Sequence, residues 1–210
     1  MSRLAGSPTL VLVPTSLEWR ELRALGGLGT GLGLEEEAGF GPVAAAARTA
    51  SILARIRPAR VLLLGIAGSY DAEAFAVGTA VRFARVEIDG LDTAGFAQAP
   101  GIGTGLDLAR PRAEPGARRG VLVTVSSASG SSREAAERRE RHADAVAEDM
   151  EGFGVALACA LERVPLAIVR GISNAAGDRD PKSWRIREAL EAARRAAIDA
   201  LGQPDWELPA

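Results

Sequence analysis

The sequence predicts a three-layer α/β/α fold, in which helices cover both faces of a twisted, mostly parallel central sheet. Three observations predict it. Short β-branched and Leu-rich runs alternate with longer segments of helical periodicity, as they do in βαβ units. One run, Val61 to Ile66, is apolar without a break, as expected of a strand buried on both faces. Apolar residues make up 47% of the 210 and aromatics only 4%, with 24 glycines, which suits a compact chain packed with small side chains. A chain of this length can bury a continuous core without disulfides or metals. No repeat or shift in composition divides it, so it reads as a single domain over 1–210.

The elements follow in order. A strand over Thr9 to Val13 ends at Pro14-Thr15-Ser16, where Ser16 is placed to cap a helix from Leu17 to Leu25. Gly26 to Gly33 reads as a mobile turn that could close over a site, and a second helix fits Pro42 to Arg55, with proline in its first turn. After the Val61 to Ile66 strand, Gly78 to Val86 reads as another. Ala97 to Gly120, rich in Pro, Gly and Ala, reads as a surface excursion or lid. Strand character returns at Val121 to Ser126, then a helix over Ser131 to Asp144 and a short strand over Ala145 to Met150. A helix over Gly152 to Arg163, a strand over Leu166 to Ile172 and a closing helix over Ser183 to Leu201 complete the chain.

Charge and cysteine content exclude several classes. The net charge of −2 and the lack of a basic stripe argue against a nucleic-acid surface. The densest basic stretch, Arg133 to Arg141, alternates with Glu134, Glu137 and Glu140 and reads as a solvated helix face laced with ion pairs. One histidine and one cysteine leave no soft-ligand metal site, and the lone Cys159 is expected to pack in the core. Neither a signal peptide nor a membrane span is expected, which points to the cytoplasm.

Four segments could carry chemistry, three of them at the carboxyl ends of predicted strands, where open α/β sheets bind ligands. Gly65-Ile66-Ala67-Gly68-Ser69 follows a buried strand, and its glycines would let backbone N–H groups approach a ligand. On its own the segment is better read as a tight strand-to-helix turn. Glu148-Asp149-Met150-Glu151-Gly152 gathers three carboxylates, costly to bury together. They read equally as helix capping or as acceptors for sugar hydroxyls. Arg170-Gly171-Ile172-Ser173-Asn174 ends a strand in a polar pair, as a turn would, or as an amide placed at the sheet edge would. Glu18, one turn into the first helix, reads by itself as surface charge.

Taken together, these segments resemble the nucleoside phosphorylase and nucleosidase superfamily over nearly the whole chain. Glu-Asp-Met-Glu-Gly-Phe-Gly at Glu148 to Gly154, followed by Arg170 to Asn174, is most similar to the futalosine hydrolases. Gly177-Asp178-Arg179-Asp180 and Trp184 fit the same group. The resemblance implies that Glu151 binds the ribose hydroxyls, with Met150 packed on the ribose. It implies that Asn174 holds the six-position and N7 of the purine, where adenine-cleaving relatives carry Asp. Glu18 falls near the carboxylate that orients the attacking water, and Ile66, Ala67 and Gly68 line the pocket beside ribose and water. The aromatic that usually stacks on the purine has no counterpart in Ser126 to Ser132; Phe40 and Phe153 are candidates for it, and each reads more readily as core. Arg133 is a candidate for a substrate carboxylate, although it also sits on the solvated helix face.

The implied reaction is hydrolysis of futalosine to hypoxanthine and dehypoxanthine futalosine, a step in a menaquinone route. It takes a small-molecule nucleoside substrate and calls for no metal or redox cofactor, and the family suggests a homo-oligomer. Breaking a nucleoside C–N bond needs a donor at the purine, a carboxylate to orient the sugar and a base for water. A phosphorylase would need an anion site, and Arg20, Arg23, Arg82 and Arg85 form no compact one. An adenine-releasing nucleosidase and a non-catalytic nucleoside-binding protein are the other readings.

Overall fold

A computed structural model describes residues 7–29, 31–91, 103–111, 120–203 and 206–207. The chain runs β1 (Thr9–Val13), α1 (Ser16–Ala24), β2 (Leu34–Glu37), α2 (Pro42–Ile56), β3 (Arg60–Ser69), β4 (Ala80–Arg82), β5 (Arg85–Ile88) and β6 (Gly105–Asp107). It continues with β7 (Arg110–Pro111), β8 (Val121–Thr124), α3 (Ser132–Arg141), β9 (Ala145–Asp149), α4 (Gly152–Leu161), β10 (Leu166–Ala175), α5 (Ile186–Gly202) and β11 (Trp206–Glu207).

The central sheet follows the order β2-β1-β3-β9-β8-β5-β6, with β10 on the other edge of β3 and β4 beyond it. Five of its pairings are parallel, and β3–β9, β5–β6 and β4–β10 are antiparallel. Strand alternation sorts the core into two layers. Leu10, Leu12, Val61, Leu63, Leu166 and Ile168 face α2 and α4, while Val11, Val13, Leu62, Leu64, Ala167 and Val169 face α1 and α5. Leu62, Leu63 and Leu64 are wholly buried, worth roughly 1.5–3 kcal/mol each in apolar transfer. Helix α5 lies close on β10 because Gly171 has no side chain; a Cβ there would strike the Ala189 carbonyl.

The layered α/β/α expectation is met, with corrections in detail. Thr15, not Ser16, caps α1, and Glu18 returns the bond to the Thr15 N–H in a capping box. Gly65 to Ser69 is not a strand-to-helix turn. It remains in β3, because β10 continues to pair with it as far as Ala175. The predicted strand over Gly78 to Val86 divides into β4 and β5, and β2 was not foreseen. The predicted excursion over 97–120 contains β6 and β7; the rest of it lies outside the described residues. The closing helix starts at Ile186, and β11 beyond it pairs with β7.

Candidate active site

The site forms where the sheet changes partners. β10 occupies one edge of β3 from Val61 to Ser69. The other edge is shared: β1 pairs as far as Leu63, and β9 pairs only at Gly68 and Ser69. Between them the backbone of β3 is free for other partners, and the Ile66 N–H donates to Glu18 Oε1 at 3.0 Å. A cavity of about 320 Å³ opens at this gap. Glu18, Ile66, Ala67, Gly68, Met150, Glu151 and Asn174, the seven residues singled out from the sequence, all line it.

One wall is charged. Glu18 is 4% exposed, and its Oε2 accepts from the Thr15 N–H at 3.1 Å and from Thr15 Oγ at 2.7 Å. The carboxylate that caps its own helix thus also reaches the cavity. Burial pushes its pKa up, against the opposing pull of Arg170 and of the Thr15 and Ile66 hydrogen bonds. Glu151 accepts from the Gly41 N–H, at the amino end of α2, at 3.0 Å. Burial, opposed by Arg170 and reinforced by Asp149, pushes its pKa up to about 7.

Behind both carboxylates stands Arg170, fully buried, which the sequence reading did not assign a role. Its Nε donates to Asp149 Oδ2 at 3.1 Å, its Nη2 pairs with the same oxygen, and Glu151 Oε2 lies 3.7 Å from Nη2. Nη1 has no hydrogen-bond partner among the described residues. Gly65 is required here, since a Cβ would strike the guanidinium and come within 2.6 Å of Glu18 Oε1. An arginine inside the otherwise apolar run Leu166 to Ile172 was the signal for this group.

The amide stands near the end of β10, beside Gly68. Asn174 Oδ1 accepts from Ser173 Oγ at 2.7 Å, and Nδ2 donates to the Ala175 carbonyl at 2.9 Å and to Asp178 O at 3.4 Å. The last bond is long, so that N–H is the one most easily released to a ligand. Met150 is half-buried and packs on the cluster of Val123, Val125 and Ala145 with one side toward the cavity.

Several expectations change. Phe40 is not core: it is 67% exposed and lines the cavity mouth, as Trp184 also does, whereas Phe153 is buried in the core. Arg133 is 88% exposed, pairs with Glu137 and does not line the cavity, while Arg179 does. The face of α3 is not solvated throughout, because Arg138 is 8% exposed and pairs with Asp89, Glu134 and Glu148. None of the described residues of Gly26 to Gly33 lines the cavity. Arg20, Arg23, Arg82 and Arg85 also lie outside it.

The sequence model of the phosphorylase superfamily matches residues 35–202, and the chain belongs to that superfamily. Within it, the chain groups with futalosine hydrolases. It is 41% identical over 181 residues to the futalosine hydrolase of Streptomyces coelicolor, an alignment covering 79% of this chain and 75% of that protein. To the futalosine hydrolase of Thermus thermophilus it is 35% identical over 224 residues, covering 92% and 95%. In fold it matches a 5'-methylthioadenosine/S-adenosylhomocysteine nucleosidase from Colwellia psychrerythraea, solved in complex with adenine, with a TM-score of 0.80 at 21% identity over 97% of this chain and 98% of that one. The futalosine hydrolase of Helicobacter pylori gives a TM-score of 0.76 at 17% identity, covering 92% and 96%.

Proposed function

We propose that this protein hydrolyses the N-glycosidic bond of futalosine, releasing hypoxanthine and dehypoxanthine futalosine, in a route to menaquinone. The observation that carries the reading is one cavity lined by two buried carboxylates with raised pKa, Glu18 and Glu151, together with the Asn174 amide. The identities to futalosine hydrolases support it.

In this reading Glu18 orients water and takes its proton as the C–N bond breaks, a task suited to a carboxylate more basic than usual. Glu151 accepts from the ribose hydroxyls and Met150 packs on the ribose. Asn174 donates to the departing purine, whose electron density rises in the transition state. Ile66, Ala67 and Gly68 form the floor beside ribose and water. The fold is taken as a single domain, cytoplasmic and assembled as a dimer or larger. Hydrolysis is favoured over phosphorolysis because the four arginines that could have formed an anion site lie outside the cavity.

The test is hypoxanthine release from futalosine with and without phosphate, beside inosine, methylthioadenosine and aminofutalosine. Release from futalosine that needs no phosphate is expected. A phosphate requirement makes the protein a phosphorylase, and release of adenine in preference overturns the reading of Asn174. The Glu18→Gln variant is expected to lower kcat about 100-fold or more. It should keep its fold, since glutamine also serves in a capping box. A variant with unchanged kcat removes Glu18 from the reaction.

A further inference from the structure

Glu148 lines the cavity, is 5% exposed, and has no part in the steps above. It stands opposite Gly68 across the β3–β9 ladder, and Gly68 stands opposite Asn174 across β3–β10. Glu148 shares the face of Gly68 by direct pairing. The β10 register shifts just before Asn174, but a Cβ at Gly68 would lie 3.5 Å from Asn174 Nδ2, which puts the amide on that face too. Glu148 and Asn174 therefore rise on either side of a position with no side chain, their strands about 9–10 Å apart at two strand spacings. That span suits a flat bicyclic base held at two edges.

The carboxylate is fixed by its partners. Oε1 accepts from the Ser129 N–H at 2.7 Å. Oε2 accepts from Ser129 Oγ at 2.6 Å, Tyr70 Oη at 2.9 Å and Arg138 Nη1 at 3.4 Å. Each carboxylate oxygen offers about two acceptor directions, so Oε2 is saturated while Oε1 keeps one free.

We propose that this free direction of Glu148 Oε1 accepts the N1–H of a 6-oxopurine, making Glu148 the residue that selects hypoxanthine over adenine. The inference rests on the purine-nucleoside reading given above. Asn174 cannot make this selection alone. Its amide, held with Nδ2 on the Ala175 and Asp178 carbonyls, addresses the six-position and N7 and leaves N1 unread. An ionised carboxylate only accepts. Hypoxanthine offers it the N1–H, whereas adenine offers a bare N1 lone pair, which sets acceptor against acceptor. A buried group left facing such a mismatch is what gives a site strong discrimination.

The test is binding of free bases to the full chain by titration calorimetry, with wild type and Glu148→Gln. Wild type is expected to bind hypoxanthine at least about 30-fold more tightly than adenine, and the variant to bring that ratio below about 3-fold. Glutamine can present a donor to the bare N1. If the variant weakens both bases alike, Glu148 only holds Ser129 and Arg138 in place, and the proposal falls. Should the variant fail to fold, wild type alone decides with 1-methylhypoxanthine, which lacks the N1–H. Binding at least about 30-fold weaker than hypoxanthine supports the proposal, and equal binding overturns it. These titrations need no turnover. A protein that leaves futalosine intact yet binds hypoxanthine in this Glu148-dependent way loses the hydrolase reading and keeps this one; a protein that binds neither base loses both.

Discussion

Two arginines are buried beside the cavity, and each is surrounded by carboxylates, but they are set up differently. Arg138 donates from every nitrogen: Nε to Asp89, Nη2 to Glu134, and Nη1 to Ser129 and Glu148. The carboxylates around it have further partners of their own. Asp89 also meets Arg141 and His142, and its pKa is held down by those hydrogen bonds despite partial burial. Arg170 instead gives two nitrogens to Asp149, leaves Glu151 at 3.7 Å and keeps Nη1 unpartnered. Burial pushes Glu18 and Glu151 beside it up in pKa, and Arg170 opposes that shift without cancelling it. A saturated arginine fixes the carboxylates around it, Glu148 among them with one acceptor direction of Oε1 left over, while an under-neutralised one leaves its carboxylates basic. Strand alternation produces the contrast. Glu148 and Asp149 are neighbours in β9, so their side chains leave opposite faces of the sheet, one toward each arginine. That division is also how three carboxylates within four residues can all be buried.

The largest expected effect comes from removing each arginine in turn. Arg170→Met leaves Asp149, Glu151 and Glu18, each only 4–5% exposed, without their buried countercharge. It should cost about 3–5 kcal/mol of stability in chemical denaturation. Arg138→Met should cost less, about 1–3 kcal/mol, because Asp89 keeps Arg141 and Glu148 keeps Ser129 and Tyr70. Equal losses would mean that the two clusters are not distinguished by how fully their charges are paired.

A smaller effect, in pH dependence, sharpens the same contrast. Glu151 moves from an ordinary value of 4.5 to about 7 in the folded chain, so the native state binds the extra proton between those values. Stability from this group is therefore greatest below about pH 4.5 and is lost as the pH rises through about 7. Glu18, also raised, adds to the same trend, whereas the lowered Asp89 acts in the opposite sense at more acidic pH. Glu151→Gln should flatten this slope and gain on the order of 2 kcal/mol over wild type at pH 8, read by urea denaturation at a series of pH values. A variant with the wild-type slope would show that Arg170 neutralises Glu151 fully. In activity the sign reverses: futalosine turnover should rise with pH as Glu18 loses its proton.

The frame of this contrast could be read from sequence, because it rests on local pattern. β1 was predicted at its observed bounds and α2 within a residue of its end, since apolar periodicity and a proline at the helix start are local signals. The seven cavity residues followed from a motif resemblance together with their placement at strand ends. What escaped was set by distant partners. β2 contains Glu35, Glu36 and Glu37, poor strand formers, and exists because β1 pairs with it in parallel. Gly65 to Ser69 stays extended because β10 and β9 pair with it from far along the chain. Arg138 looked like one charge among many on a helix; only the packing of α3 against β9 and the Asp89 segment buries it.

The smallest expected effect checks that reading of α3 from the other direction. Arg133 and Arg138 lie on the same helix within the same charge pattern, and only packing tells them apart. Arg133 is 88% exposed, and its partner Glu137 sits one turn along at 3.1 Å. An exposed pair of this kind contributes about 0.3–0.5 kcal/mol, less in salt. Arg133→Ala should therefore shift stability by under about 0.5 kcal/mol and leave KM for futalosine unchanged, against the loss expected of Arg138→Met. A several-fold rise in KM with kcat preserved would instead place Arg133 on the substrate carboxylate, and would require the amino end of α3 to fold over the cavity mouth when substrate binds.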